Sequence, residues 1–195
     1  MRIVGGELRG RTFAAPKGRD TRPTTERVRE SEMSMLASAR GGFVGAVVLD
    51  AFAGSGALGL EALSRGAASA VFYDSSPAAA RVLRDNVRTL GLSPSRALVR
   101  RADVLAAPPL ATRPPFDVAF LDPPYALEAQ SVLGMAGRLA RAGALAPQAL
   151  VLYEHDAQAC EQVDEAAKAC GFSLAKRKKY GDTVLDMLKV GLGPT

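Results

Sequence analysis

Residues 46–66, "AVVLDAFAGSGALGLEALSRG", give the clearest indication of the fold of this chain. The apolar run at 46–50 is typical of a short buried strand, and residues 56–66 have the apolar spacing of a helix that ends at Gly66. The glycines between strand and helix allow a tight turn and let a ligand approach the backbone closely. A strand, a glycine-rich turn and a helix in this order predict the ligand-binding edge of an α/β fold.

Strands and helices alternate through the rest of the chain. Most strands are apolar runs, which indicates a parallel sheet with helices on both faces. Ser76 and Pro77 supply a capping residue and a first-turn proline for one helix. Only residues 181–182 separate the last two strands, so these strands should form a hairpin with an antiparallel last strand. Beyond the opening stretch we predict strands at 70–74, 97–103, 116–122, 149–155, 173–180 and 183–190, and helices at 76–92, about 127–142 and about 157–170.

Composition sets the class of protein. The chain has 195 residues, of which 48% are hydrophobic, enough for a domain with a substantial core. No stretch approaches the roughly 18 apolar residues of a membrane span, and residues 1–13 lack the apolar part of a signal peptide, so we expect a cytoplasmic protein. Cys160 and Cys170 are expected to be reduced, buried thiols, and the single histidine, His155, gives no basis for a metal site.

Basic residues are concentrated towards the two ends of the sequence. Residues 1–30 contain eight Lys or Arg and four Asp or Glu, so they contribute +4 of the net charge of +5. A second cluster, "KRKK", lies at 176–179. This distribution favours a polyanionic partner. The candidate RNA-binding residues are Arg2, Arg9, Arg11, Arg22 and Arg27.

The first residues have a pattern of their own. Residues 1–15 are short, glycine-rich and alternating, which is typical of a small hairpin. We therefore predict a basic β-hairpin extension over 1–20 and the main domain over 21–195, whose first helix has Thr24 or Thr25 as its cap. The main domain could close its core without the first fifteen residues, so the hairpin is expected to contact RNA phosphate rather than stabilise the domain.

The glycine loop points to a cofactor. Its spacing, Gly54-x-Gly56-x-x-Gly59, also occurs in dinucleotide-binding folds, where Asp74 would hold a ribose. Asp50 argues against NAD, because a carboxylate at the mouth of the loop would repel a pyrophosphate. S-adenosylmethionine instead carries an ammonium and a sulfonium, and both favour a nearby carboxylate. We therefore predict S-adenosylmethionine as the cofactor.

Three acids follow three successive strands and should meet at the carboxyl edge of the sheet. Asp50 is expected near the methionine part of the cofactor, Asp74 at the ribose hydroxyls and Asp103 at the adenine amine. The candidate cofactor-binding residues are Asp50, Phe52, Gly54, Ser55, Gly56, Asp74 and Asp103.

The stretch "FLDPPYAL", residues 120–127, ends the fourth strand on a carboxylate. Pro123 holds Asp122 extended, so the Pro123 carbonyl and the Asp122 carboxylate can accept both N–H groups of an exocyclic amine. Tyr125 can stack on a base that is flipped out or already unpaired. The candidate catalytic residues are Asp122, Pro123, Pro124 and Tyr125.

These motifs also carry a family resemblance. "DPPY" together with "DAFAGSGALGLEALSRGA" resembles the class I methyltransferases that act on exocyclic amines of bases. "RPTTERVRE" at 22–30 and "KYGDT" at 179–183 narrow the resemblance to the RsmD-type 16S rRNA guanine-N2 methyltransferases, over nearly the whole chain. Two departures stand out: "SEMSMLASA" at 31–39 where the family commonly has an aromatic-containing helix, and Asp74 where Glu is frequent.

The resemblance implies a fold, a donor and a target. The fold is Rossmann-like, with a mostly parallel seven-stranded sheet whose last strand is antiparallel. The donor is S-adenosylmethionine, and the target is one guanine of small-subunit rRNA, modified in protein-bound rRNA. Asp50, Gly54 and Gly56 would contact the cofactor, and residues 122–125 would hold the guanine. We expect a monomer.

Three other functions stay open. A DNA adenine-N6 methyltransferase could use the same "DPPY", although 195 residues leave little room for a target-recognition region. A non-catalytic rRNA-binding assembly protein is disfavoured by the intact Asp50, Gly54, Gly56 and Asp122. A small-molecule methyltransferase is disfavoured by the basic N-terminal segment.

Overall fold

A computed structural model describes residues 1–15 and 26–191 of the chain. Arg22 and the predicted helix cap at Thr24 or Thr25 lie outside the described residues, as does the predicted boundary after residue 20. Two compact units divide the chain, residues 1–103 and residues 104–195. The hairpin-plus-domain division stays a prediction.

The first unit contains three parallel strands. Strand β2 (Ser69–Asp74) pairs with β1 (Val47–Asp50) on one side and with β3 (Ala97–Arg101) on the other, both in parallel. The predicted strands and helices of this unit are confirmed to within a few residues. Its elements are α1 (Glu26–Arg40), β1 (Val47–Asp50), α2 (Ala57–Ser64), β2 (Ser69–Asp74), α3 (Pro77–Thr89) and β3 (Ala97–Arg101).

Local signals define the start of α3 as the sequence predicts. The Ser76 side chain accepts a hydrogen bond from the Ala79 N–H at 3.3 Å, and Pro77 occupies the first turn. The proline has no N–H to leave unsatisfied there, and its φ already suits a helix.

The second unit has a mixed sheet. Strand β5 (Leu145–Asp156) is parallel to β4 (Phe116–Leu121), whereas β7 (Thr183–Val190) is antiparallel to both of its neighbours, β5 and β6 (Phe172–Tyr180). The predicted hairpin around residues 181–182 is therefore confirmed. The elements of the unit are β4 (Phe116–Leu121), α4 (Ala129–Arg141), β5 (Leu145–Asp156), a single 3₁₀ turn (Ala157–Ala159), α5 (Cys160–Ala169), β6 (Phe172–Tyr180) and β7 (Thr183–Val190).

Two details of the second unit differ from prediction. Strand β5 begins at Leu145 rather than at residue 149, because Leu145 pairs with Phe116 before the register shifts. Pro147 lies in that irregular stretch, and a proline in a sequence argues against a strand. Cys160 and Cys170 are free thiols as expected, but both are half-buried rather than buried, since they lie at the two ends of α5.

The first residues pack against the first unit. Residues 1–13 fold back on themselves through one antiparallel bridge, between Arg2 and Thr12. Ile3 is fully buried, and the N–H groups of Val4 and Gly5 donate to the Glu61 carboxylate at 2.9 and 2.7 Å. These residues supply a core side chain and satisfy a buried carboxylate, which argues against a hairpin independent of the core. Folding of the domain without the first fifteen residues stays a prediction.

Within the parts of the chain that the structure describes, no helix has both the length and the apolar character to cross a membrane.

Candidate functional site

The glycine loop joins β1 to α2. Gly54 and Gly56 have φ of 54° and 84°, a left-handed conformation that favours glycine. A Cβ at Gly56 would lie 2.3 Å from Leu83, and one at Gly59 would lie 2.3 Å from the Phe72 ring. The spacing of the three glycines therefore serves a tight turn and the close packing of α2 on its neighbours.

Asp50, at the end of β1, secures the start of α2. Its side chain accepts a hydrogen bond from the Gly59 N–H at 3.0 Å, whereas the helix-capping residue, Gly56, has no side chain to do so. The residue is only 2% exposed. Burial, opposed by that hydrogen bond and reinforced by the negative charge of Asp74, raises the pKa of Asp50 to about 7. A cation close to this carboxylate would relieve the cost of ionising it.

Asp74, at the end of β2, holds both neighbouring turns. One carboxylate oxygen accepts from the Gly54 N–H and the other from the Ser76 N–H, each at 2.8 Å. The side chain is buried beside Asp50, so the structure brings these two predicted residues together.

The other predicted cofactor residues differ in exposure. Phe52 is half-buried, Ser55 is buried and Asp103 is exposed. The Ser55 hydroxyl lies 3.4 Å from the sulfur of Met1. The Ser55 carbonyl accepts from the Asn86 side chain at 2.9 Å.

Asn86 is a site residue that the sequence analysis missed. Its buried amide also exchanges two hydrogen bonds with the Ala14 backbone, at 2.8 and 2.9 Å. The available signal was a polar amide in the last turn of α3, since asparagine has poor helix propensity. Asn86 thereby fastens the glycine loop and the N-terminal segment to one helix.

The "DPPY" motif follows β4 in the second unit. Asp122 is half-buried and Pro123 buried, whereas Pro124 and Tyr125 are exposed. The Tyr125 hydroxyl donates to Glu154 at 3.2 Å and lies 3.0 Å from the Thr183 hydroxyl. Burial, with smaller contributions from neighbouring acids, raises the pKa of Tyr125 to about 12, so its ring is neutral at physiological pH.

An open cavity of about 490 Å³ lies beside this motif. Pro123, Pro124 and Tyr125 line one part of it, and Tyr153 and Glu154 line another. The start of α4 and one face of α5 also contribute to the lining. The volume lies in the usual range for small-molecule sites and accommodates a nucleobase.

Glu154 is the second residue that the sequence analysis missed. It lies near the end of β5 and is 9% exposed. Burial raises its pKa, although hydrogen bonding to Tyr125 opposes the shift. The available signal was an acid at the carboxyl end of an apolar strand, the same pattern that identifies Asp50, Asp74 and Asp122.

A buried ionic network supports this end of β5. His155 lies 3.1 Å from Asp186, which also accepts two N–H groups of Arg177 at 2.7 and 2.6 Å. Burial opposes ionisation of Asp186, but the hydrogen bonds from Arg177 and His155 outweigh it and lower its pKa. Arg177, the only arginine of the "KRKK" cluster, is therefore already paired with an acid of the second unit.

The predicted RNA-binding arginines divide into two groups. Arg2 forms an ion pair with Glu26 at 3.0 Å, and Arg11 donates to the last carbonyls of α3 at 2.6 and 3.0 Å. Arg9 and Arg27 are exposed and form no ion pair among the residues that the structure describes.

Comparison with known proteins gives one family. The model of the family described as "Conserved hypothetical protein 95" matches residues 1–189. The chain is 34% identical to "Putative rRNA methyltransferase YlbH" of Bacillus subtilis, over 97% of this chain and 98% of that protein. It is 42% identical to "Ribosomal RNA small subunit methyltransferase D" of Escherichia coli, over 64% of this chain and 60% of that one.

Solved structures agree on the fold. "Putative methyltransferase yhhF from Escherichia coli" superposes with a TM-score of 0.78 at 33% identity, covering 98% of each chain. A structure described as "crystal structure of a putative RNA methyltransferase PH1948 from Pyrococcus horikoshii" gives a TM-score of 0.72 at 20% identity over 94% of each chain, which shows the fold alone. The predicted Rossmann-like class I methyltransferase fold is confirmed.

Proposed function

The chain belongs to the family described as conserved hypothetical protein 95, that of the RsmD-type methyltransferases, and we propose that it transfers a methyl group from S-adenosylmethionine to N2 of one guanine in 16S rRNA of the small ribosomal subunit. The observation that carries the proposal is the "DPPY" motif at the end of β4, beside a cavity large enough for a nucleobase. The proposed partner is rRNA within the small subunit or an assembly intermediate, and the protein acts as a monomer in the cytoplasm.

The first unit has features that suit the cofactor. Asp50 and Asp74 place two carboxylates next to a glycine loop with little side-chain bulk, and ionisation of Asp50 is already disfavoured by burial. A cationic ligand without phosphate matches this environment better than a pyrophosphate does. When bound, S-adenosylmethionine supplies an activated methyl group on a sulfonium. Asp74 would accept from its ribose hydroxyls.

The second unit has features that suit the base. An aryl amine is a poor nucleophile, because its lone pair is delocalised into the ring. In the proposed mechanism the Asp122 carboxylate and the Pro123 carbonyl accept its N–H groups, orient the lone pair and stabilise the positive charge that grows on nitrogen. The proton that nitrogen loses passes to Asp122 or to water. Tyr125 offers its neutral, exposed ring for stacking.

Labelled methyl transfer tests the proposal. The purified protein is incubated with S-adenosylmethionine carrying a labelled methyl group and, in parallel, with immature small subunits, free 16S rRNA and duplex DNA. We expect label in N2-methylguanine of 16S rRNA from the small subunits, and about 10²–10³-fold slower labelling with an Asp122→Ala control. Label in N6-methyladenine of DNA, or binding to rRNA without any transfer, would contradict the proposal.

A further inference from the structure

Glu154 has a carboxylate that the fold leaves half satisfied. One oxygen accepts the Tyr125 hydroxyl at 3.2 Å, while the other is buried and has no hydrogen-bond partner among the described residues. A buried carboxylate oxygen without a donor is costly, and in native structures such an atom calls for a ligand or a function. The sequence places Glu154 on β5, where an apolar residue would have served the core without that cost.

The position of Glu154 indicates what the missing donor is. Glu154 lines the same cavity as Pro123 and Tyr125. A base whose exocyclic amine is held by the "DPPY" motif therefore presents its neighbouring ring atoms within this cavity. Tyr125 is 46% exposed, so its ring is accessible for stacking on the base.

We propose that Glu154 determines specificity for guanine by accepting the N1–H of the target base. This inference rests on the proposed function. In guanine the atom next to the amine-bearing carbon is an N1–H donor, whereas in adenine the corresponding N1 is an acceptor. A buried carboxylate stabilises the first and repels the lone pair of the second, and a site built for a hydrogen bond strongly rejects an analogue that cannot make it.

The test replaces guanine by 2-aminopurine at the methylated position. 2-Aminopurine keeps the amine at C2, but its N1 is an acceptor and it lacks O6. The modified position is first mapped with the wild-type protein, and small subunits are then reconstituted with 16S rRNA carrying guanine or 2-aminopurine there. The measurement is the ratio of kcat/KM for the two substrates, for wild type and for Glu154→Gln.

We expect the wild type to prefer guanine by about 10- to 100-fold, the worth of one hydrogen bond to a charged group. Glu154→Gln should narrow that ratio at least tenfold or reverse it, because its amide can donate to N1 of 2-aminopurine. Loss of O6 affects both proteins alike and cancels in the comparison. Glu165→Gln, an exposed residue lining the same cavity, is the matched control and should keep the wild-type ratio.

Three outcomes separate the alternatives. If Glu154 only positions Tyr125, Glu154→Gln lowers kcat/KM equally for both substrates, the ratio is unchanged and the inference is overturned. A wild type that does not discriminate overturns it as well, even if the variant fails to fold. A wild type that methylates no guanine in rRNA instead refutes the proposed function, so the two failures are distinguishable.

Discussion

Asp50 and Asp74 each serve the backbone of the protein before any ligand arrives. Asp50 accepts the Gly59 N–H and Asp74 accepts those of Gly54 and Ser76. Both carboxylates are thereby fixed in place, so a cofactor bound there would meet preorganised charges. This arrangement makes ionisation of Asp50 unfavourable, because burial and the negative charge of Asp74 both oppose it.

Proton release should accompany cofactor binding. Because the pKa of Asp50 in the free protein is about 7, the carboxyl is largely neutral at about pH 6. A bound sulfonium and ammonium would lower that pKa, so binding at about pH 6 should release up to one proton, and affinity should rise with pH towards 7. Calorimetry in two buffers of different ionisation enthalpy measures the release. Asp50→Asn should abolish it, and a wild-type signal independent of buffer would refute the proposed coupling.

The same raised pKa has a consequence for folding. An acid whose pKa is higher in the folded than in the unfolded state stabilises the fold fully below its unfolded pKa, and that contribution is lost as pH rises through the folded pKa, here about 7. The free energy of unfolding of the wild type should therefore fall between about pH 4 and pH 7 relative to that of Asp50→Asn. Urea unfolding of both proteins at several pH values measures this difference. Parallel profiles for the two proteins would show that Asp50 is not titrating as proposed.

Asp122 should matter for the rate rather than for cofactor affinity. Asp122→Ala removes one proposed acceptor of the target amine, which should lower turnover by about 10²–10³-fold. The affinity for S-adenosylmethionine should change by no more than a few fold, since Asp122 is proposed to lie beside the amine. A turnover assay combined with calorimetric titration decides, and near-normal turnover would exclude the role.

Local sequence signals predict most of the elements, and long-range contacts explain the misses. The cap at Ser76 and the hairpin at residues 181–182 depend on neighbours in sequence, so both are predicted correctly. The docking of Val4 and Gly5 on Glu61 joins residues more than 50 positions apart, and no local pattern reports it. In the candidate site the strand-end acids are predictable, whereas the partner that satisfies each acid depends on the fold.

Glu61 should be essential for the stability of the first unit. Its fully buried carboxylate accepts the N–H groups of Val4 and Gly5 and lies 3.8 Å from the buried Arg29. Glu61→Gln removes a buried negative charge that lies 3.8 Å from Arg29 and 3.0 Å from Arg65, which should lower the free energy of unfolding by about 3–5 kcal/mol. Glu7→Gln, which breaks an exposed ion pair, is the matched control and should cost less than about 1 kcal/mol. Equal urea midpoints for the two variants would contradict this.

The positive charge of the whole molecule is only partly available to a polyanion. Two of the predicted RNA-binding arginines, Arg2 and Arg11, are bound to Glu26 and to the end of α3, and Arg177 is bound to Asp186. In the first unit, Arg9 and Arg27 are exposed without an ion pair among the described residues. The net charge of +5 therefore does not by itself locate an RNA surface.

The salt dependence of RNA binding can distinguish the exposed arginines without an ion pair from those already bound within the protein. Each phosphate contact contributes about 0.7–0.9 to the slope of log affinity against log salt, because it releases condensed counterions. Arg9→Gln with Arg27→Gln should flatten the slope for small-subunit binding by roughly one to two units. Arg2→Gln with Arg11→Gln removes the same charge but from residues held by the protein, so it should change the slope by less than about half a unit. Filter binding at several salt concentrations gives both slopes.

If the Arg2 and Arg11 variant flattened the slope as much as the other variant, the contacts of these arginines to Glu26 and α3 would have to break on binding in favour of contacts to phosphate. If neither did, the RNA surface would lie elsewhere, with the exposed lysines of the "KRKK" cluster as the next to test.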